Sequence, residues 1–181
     1  MRDCDVLCSA RLVLAPFSER HLTDEYLSWL RDPELMRYSE QRFRVHTVES
    51  CRRYLESFKG TANRFWALEE TALGLSTIGT MTAYVAPADA VADLGILVGK
   101  ADARRRGYGL EAWRLVCRHL LDNGGMRKIS AGTLSVNEPM LRLMRQSGMT
   151  PDGVRRRHVL FEGRAVDVVH MALFGEQEGV P

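Results

Sequence analysis

The run Asp93-Leu-Gly-Ile-Leu-Val-Gly-Lys100, followed by Ala101-Asp-Ala-Arg104-Arg-Arg-Gly107-Tyr-Gly109-Leu-Glu-Ala112, constrains this chain more than any other segment. An apolar β-type run passes through an Arg/Gly loop into a helix whose apolar positions Leu110, Trp113, Val116, Cys117, Leu120 and Leu121 recur at helical spacing. A helix start exposes about four unpaired N–H groups and roughly half a positive charge. Glycines at 107 and 109 let an anion approach that backbone closely, and Arg104, Arg105 and Arg106 add charge-assisted donors. The pattern is neither the P-loop, which needs Lys-Ser/Thr after its last glycine, nor the three-glycine dinucleotide fingerprint. It reads as a pyrophosphate site of another kind, with a solvated basic loop as the plainer alternative.

Composition sets the frame around that segment. The 181 residues are about one domain's length, 45% hydrophobic and 27% charged, so one globule spanning residues 1–181 is expected. Lys and Arg number 25 against 23 Asp and Glu, a balance that gives nucleic acid or an anionic membrane no global attraction. Lys59, Lys100 and Lys128 are the only lysines, so cationic contacts fall to arginine, which binds carboxylate and phosphate bidentately. Cys4, Cys8, Cys51 and Cys117 lack C-x-x-C spacing, and His21, His46, His119, His158 and His170 lack metal-ligand spacing. Reduced thiols and no metal are expected. No apolar run approaches the ~18–20 residues of a membrane span, and Met1–Leu14 lacks a signal-peptide core, so a cytoplasmic protein is expected.

Along the chain, Arg11–Leu14 reads as a strand closed by Pro16, and Ser18 as the cap of a helix carrying Leu22, Tyr26, Leu27, Trp29 and Leu30. Asp32-Pro33 breaks that helix, and Thr47 caps a second one with Cys51, Tyr54, Leu55 and Phe58 on one face. Phe65–Leu68, Thr77–Val85 and Asp93–Val98 read as three neighbouring antiparallel strands. After the long helix come a strand at Lys128–Leu134, a short helix around Met140–Met144, and strands at Val154–Phe161 and Arg164–Phe174. The order β-α-α-β-β-β-α-β-α-β-β predicts a mixed α/β layer fold. Arg155-Arg-Arg157 reads as a solvated strand edge.

The loop Arg104-x-x-Gly107-x-Gly109 resembles the Arg/Gln-x-x-Gly-x-Gly/Ala signature of the GNAT superfamily of acetyl-coenzyme A-dependent N-acetyltransferases. Asn137, placed before a short helix and Gly148-Met149, resembles the family's second motif, and Arg11-Leu-Val-Leu14 resembles its first strand. The resemblance spans nearly the whole chain and looks closest to the branch of ribosomal-protein N-terminal and nucleotide-sugar amine acetyltransferases. The stretch Tyr38-Ser39-Glu40-Gln41 and the pair Phe65-Trp66 lean toward the sugar-amine side.

The resemblance implies a mixed α/β fold with a central, mostly antiparallel twisted sheet, splayed between its fourth and fifth strands and flanked by about four helices. Acetyl-coenzyme A is implied in the split as co-substrate, with no metal. Ile96, Leu97 and Val98 would pair with the pantetheine arm, and Arg104, Arg105, Arg106, Gly107, Tyr108, Gly109 and Leu110 would hold the pyrophosphate. Asn137 would meet the cofactor near its reactive end, or simply cap its helix. Asp93 stands where many relatives place a glutamate base, its plain alternative being a surface carboxylate, and the Leu97 N–H would meet the tetrahedral oxyanion. Tyr38, Trp66 and Tyr84 are the acceptor-side candidates, with core packing the alternative for Trp66 and Tyr84.

Met144 departs from the pattern, because many relatives carry there a tyrosine that protonates the leaving thiolate, and Met has no donor. A thiol of pKa near ~8.5 is nevertheless a tolerable leaving group. The expected reaction is direct acetyl transfer to a primary amine of a small molecule, a sugar amine favoured, or of a protein N-terminus, by a monomer or homodimer. A non-catalytic coenzyme A-binding module is the rival that the absent tyrosine keeps open, and a basic nucleic-acid-binding domain is a second.

Overall fold

The computed structural model describes residues 6–175, and Cys4 lies outside them. Strands β1 (Leu7–Cys8) and β2 (Leu12–Pro16) come first, then helices α1 (Asp24–Arg31), α2 (Pro33–Met36) and α3 (Val48–Glu56). Three strands follow, β3 (Arg64–Glu70), β4 (Ser76–Ala86) and β5 (Val91–Val98). The chain continues as α4 (Tyr108–Asp122), β6 (Lys128–Leu134), α5 (Glu138–Gln146), β7 (Thr150–Phe161) and β8 (Arg164–Phe174). All eight strands share one sheet in the order β1-β2-β3-β4-β5-β6-β8-β7, antiparallel except for β5 beside β6.

Side-chain capping sets the helix starts, moving one from its sequence-predicted place and adding a short helix where a break was expected. The Ser18 N–H donates to His21 Nδ1 at 2.9 Å and closes a 3₁₀ turn over Glu19–His21. The α-helix therefore begins at Asp24, where Thr23 Oγ1 accepts the Tyr26 N–H. The Asp32-Pro33 break starts a new helical turn, because Asp32 Oδ1 accepts the N–H groups of Glu34 and Leu35. Thr47 and Ser50 cap α3 reciprocally, as expected.

Strand β3 is covered on both faces, so its neighbouring side chains enter opposite layers. Trp66 and Leu68 join Met81, Leu94, Trp113, Val116 and Met144 beneath α4 and α5. Phe65 and Ala67 join Phe17, Tyr26, Leu27, Trp29 and Cys51 beneath α1 and α3. Trp66 has no exposed surface, and Trp66→Ala is expected to cost about 3–5 kcal/mol. Equilibrium denaturation measures that loss, and a cost below about 1 kcal/mol would mean that the indole is not a core element.

Strands β5 and β6 share only three pairs, Val91↔Lys128, Ala92↔Ile129 and Asp93↔Ser130, and then part. This is the expected splay, and it opens at Asp93. At the far edge, the pairing of β7 with β8 is interrupted between Arg155 and Val159. There Arg156 pairs with Asp167 at 2.9 Å and the Arg157 N–H bonds the same carboxylate at 2.8 Å. The arginine triplet thus decorates an exposed, irregular edge. Among the described residues, Cys8, Cys51 and Cys117 are free thiols and no helix is long and apolar enough to cross a membrane.

Candidate active site

Strand alternation decides what the split offers. The Phe17 N–H donates to the Phe65 C=O at 2.8 Å, so Phe65 turns its backbone groups toward β2 and Trp66 turns its own toward β4. Carried through Trp66↔Met81 and Thr80↔Leu97, the alternation turns the Leu97 N–H toward Thr80 and leaves Ile96 and Val98 facing the split. The expected oxyanion contact through the Leu97 N–H is therefore corrected, since that group belongs to the β4–β5 ladder. Ile96 and Val98 are the residues beyond the last β5–β6 pair whose N–H and C=O groups face the opening.

The loop that follows β5 is built around left-handed backbone. Gly107 has φ +85 and Arg105, a non-glycine, has φ +61, a conformation held only where the surroundings over-determine it. Gly107 is the N-cap of α4, so the N–H groups of Tyr108, Gly109 and Leu110 have no intrahelical acceptor. Arg105 and Arg106 are exposed beside them.

Arg104 works differently from its neighbours. Its Nε donates to the Val98 C=O at 3.2 Å and its terminal nitrogen to the Gly99 C=O, which fastens the loop to the end of β5. Tyr108 contributes its main chain only: its side chain is buried, its hydroxyl donates to Glu70, and Arg11 and Arg106 lie over its ring at 4.4 and 5.4 Å.

Arg11 clamps the same loop from β2's side. It donates to the Arg106 C=O at 3.1 Å and to Glu111 Oε2 at 2.7 Å. Burial works to raise the Glu111 carboxyl, but bonds from Ser9 and Arg11 outweigh it and hold the group below its ordinary value. A cavity of about 610 Å³ lined by Arg11, Gly107, Glu111, Arg114 and Arg118 adjoins the clamp.

On the sheet face beneath α1 and α3, the end of the split carries titratable groups. Asp93 Oδ2 accepts from Ser130 Oγ at 2.8 Å, and among the described residues Oδ1 has no protein partner. Asp93 is solvent-exposed at the mouth of the wedge, yet partial desolvation there raises its carboxyl above the ordinary value, with the Ser130 bond and the His170 charge acting the other way. Tyr84 stands opposite Asp93 on β4 and is exposed, and its hydroxyl lies 2.6 Å from that of Tyr54 on α3. His170, on β8 opposite Gly132, has a buried Nε2 that finds no hydrogen-bond partner among the described residues.

Of the three acceptor-side candidates, only Tyr84 opens onto this surface. Trp66 is a core residue. Tyr38 is half-buried, stacked on Phe161 at 5.5 Å under Arg37, which pairs with Glu162. Those contacts tie the β7–β8 turn to the segment after α2.

Residues 11–150 match the family model described as an acetyltransferase (GNAT) domain. The chain belongs to the GNAT acetyltransferase family.

Solved structures of the family share its fold. An acetyltransferase (GNAT family) from Bacillus anthracis superposes with a TM-score of 0.81 at 17% identity, over 96% of this chain and 100% of its own. A spermidine N-acetyltransferase from Vibrio cholerae, in complex with CoA and spermine, gives 0.81 at 15% identity, over 92% and 96%. A ribosomal L7/L12 alpha-N-protein acetyltransferase in complex with coenzyme A gives 0.83 at 14% identity, over 94% and 98%. No curated protein matches the chain by sequence.

As a GNAT member, the chain places the two remaining motif positions as follows. Asn137 caps α5: its Oδ1 accepts the Met140 N–H at 3.3 Å and its Nδ2 donates to Thr133 Oγ1 at 2.9 Å. Met144 is fully buried between α5 and the sheet, so no proton donor stands there. The sequence reading missed Arg11, Glu111, Tyr54, Ser130 and His170 as parts of the site. Their signal is absent from local spacing, because each reaches the site through a contact with a distant segment.

Proposed function

We propose that the chain transfers the acetyl group of acetyl-coenzyme A directly to a primary amine, either of a small molecule such as a sugar amine or of a protein N-terminus. One observation carries this reading: the Ile96 and Val98 N–H groups and the Ile96 C=O, beyond the last β5–β6 pair, line a split that ends at the glycine-opened start of α4 on one side and at Asp93 on the other. Those two residues can add the amides of an extended pantetheine arm as a missing strand neighbour. The amides of Tyr108, Gly109 and Leu110, with the charges of Arg105 and Arg106, suit a pyrophosphate. Arg104 supports that loop through its backbone contacts.

A free alkyl amine has a pKa near ~10 and arrives as an ammonium. Asp93 takes one of its protons, directly or through a water, with Ser130 holding the carboxylate in place. The amine lone pair then forms the N–C bond to the thioester carbonyl, and the Ile96 N–H meets the oxygen that becomes negative. As the C–S bond breaks, the new amide nitrogen gives up its second proton, which reaches the leaving thiolate through water, because Met144 has none to give.

Titration calorimetry with acetyl-coenzyme A and coenzyme A, followed by a thiol-release assay over a panel of amines, tests the reading. Saturable micromolar binding and amine-dependent thiol release are expected. Absence of binding overturns the cofactor assignment, and binding without turnover on any amine leaves the non-catalytic module as the function.

A further inference from the structure

Beyond the last β5–β6 pair, both arms of the split present glycine to the acceptor face. Gly95 follows Asp93 by two residues on β5 and Gly132 follows Ser130 by two on β6, so both lie on the face that carries the Asp93 carboxylate and the Ser130 hydroxyl. Neither position has a side chain to stand between an approaching amine and a thioester held in the split.

His170 uses the space over one of these glycines. It stands opposite Gly132 across the β6–β8 ladder, and its imidazole leans over that residue: a Cβ built on Gly132 would lie 2.9 Å from Cε1, 3.0 Å from Nδ1 and 3.7 Å from Nε2. The ring edge that carries both nitrogens is therefore the one turned toward β6, the strand that borders the split. Ser130 and Gly132 are about 7 Å apart along that strand, so Asp93 and His170 rim one opening, Asp93 at its apex and His170 on its β6 arm.

Nothing else on this face occupies the imidazole. Its Nε2 is buried and finds no hydrogen-bond partner among the described residues, and native structures keep few such atoms. Its same-face neighbours along β8, Val168 and Ala172, are apolar. Lys128, two residues before Ser130 on β6, pairs with Asp152 of β7 at 2.7 Å, so that cation and that carboxylate satisfy each other.

We propose that His170 is the second proton-transfer group of the acetyl transfer. The proposal rests on the acetyl-transfer reading, with Asp93 marking the acceptor side of the split. Asp93 takes the first proton of the ammonium. Once the N–C bond has formed, the nitrogen still carries one surplus proton, and the imidazole accepts it on a ring lone pair. As the C–S bond breaks, the imidazolium gives that proton through water to the thiolate and returns to its neutral form, while the proton on Asp93 leaves to solvent. One ammonium and one thioester thus become one amide, one thiol and one released proton. An imidazole suits this task because it both accepts and donates a proton near neutral pH, and Met144 offers no donor.

Thiol release tests this with an amine that the wild type acetylates. His170→Ala and His170→Gln are each expected to lower kcat at least tenfold, with the KM for acetyl-coenzyme A and the melting temperature little changed. Glutamine keeps a hydrogen-bonding group but carries no proton, so its loss reports transfer rather than bonding. Free imidazole is expected to restore a saturable part of the rate to His170→Ala and none to Asp93→Asn. Gly132→Ala keeps the imidazole in the protein but gives its place to a Cβ, and is expected to lower kcat at least fivefold with acetyl-coenzyme A affinity unchanged.

Wild-type kcat in His170→Gln, or a slow His170→Ala that imidazole does not rescue, overturns the proposal while leaving acetyl transfer standing. Should the His170 variants fail to fold, wild-type kcat in Gly132→Ala overturns it equally. If the wild type turns over no amine, acetyl transfer fails and the role of His170 falls with it.

Discussion

Gly109→Val is expected to lower acetyl-coenzyme A affinity at least tenfold, about 1.4 kcal/mol, whereas Gly109→Ala, which the Gly/Ala position of the signature admits, is expected to keep it within about threefold. Gly109 is helical, and a Cβ built on it would lie 3.4 Å from Val98 Cγ2 and 3.5 Å from Leu143 Cδ1, ordinary contact distances. Alanine is also favoured over glycine inside a helix by about 1 kcal/mol. Nothing inside the protein therefore requires glycine at this position. What limits the size of the side chain is an approach from outside, because a branched side chain beside the amides of the first turn keeps a phosphate from reaching them.

Gly107 is a contrasting case. Its φ of +85 costs any L side chain strain of roughly 1–2 kcal/mol, so Gly107→Val disturbs the loop itself. The pair Gly107→Val/Gly109→Val is expected to abolish binding, but Gly109→Val alone is the cleaner probe. Wild-type affinity in that variant, measured by calorimetry, would remove the loop as the pyrophosphate site.

Asp93→Asn is expected to lower kcat/KM by roughly 10²–10⁴ and to leave acetyl-coenzyme A affinity unchanged. Asparagine keeps the shape and can still accept from Ser130, so the loss reports the missing base. Partial desolvation raises the Asp93 carboxyl above its ordinary value, and the wild-type rate should rise with pH through that raised value as the carboxylate forms. The acid limb in the kcat/KM profile should disappear in the variant. A profile that keeps the same limb would exclude Asp93 as the base.

Stability supplies an independent check. A carboxyl with a raised pKa in the folded state binds its proton more tightly there than in the unfolded chain. Its stabilising contribution is present below the ordinary value and is lost as pH rises through the folded one. At neutral pH the ionised Asp93 therefore adds nothing to stability, and Asp93→Asn should melt at the same temperature or higher. A loss of activity without a loss of stability separates a catalytic role from a structural one.

Local chemistry determined much of this protein before any tertiary contact. The helical recurrence from Leu110 to Leu121, the Thr47 cap and the turn at Glu162-Gly163 are properties of short windows, and the structure has them where spacing put them. The Arg/Gly loop was legible for the same reason, since strand, left-handed turn and helix start are contiguous in the chain. Asp93 was reached only through the family resemblance.

Tertiary structure decided the rest. Whether Leu97 or Ile96 turns its N–H to the split depends on the register of β2, β3, β4 and β5 together, and a one-residue change in register reverses the answer. Trp66 and Tyr84 look alike as aromatic residues on central strands, yet Trp66 is sealed beneath α4 and Tyr84 lies open beside Asp93. Arg104 matches the phosphate-binding pattern, and only the curl of its loop turns its guanidinium back onto the carbonyls of Val98 and Gly99. The line from Asp93 through Tyr84 to Tyr54 brings α3 against strands that follow it in the chain by about thirty residues. Sequence spacing sets local geometry within a turn or a strand, whereas the site is assembled by pairings that span tens of residues.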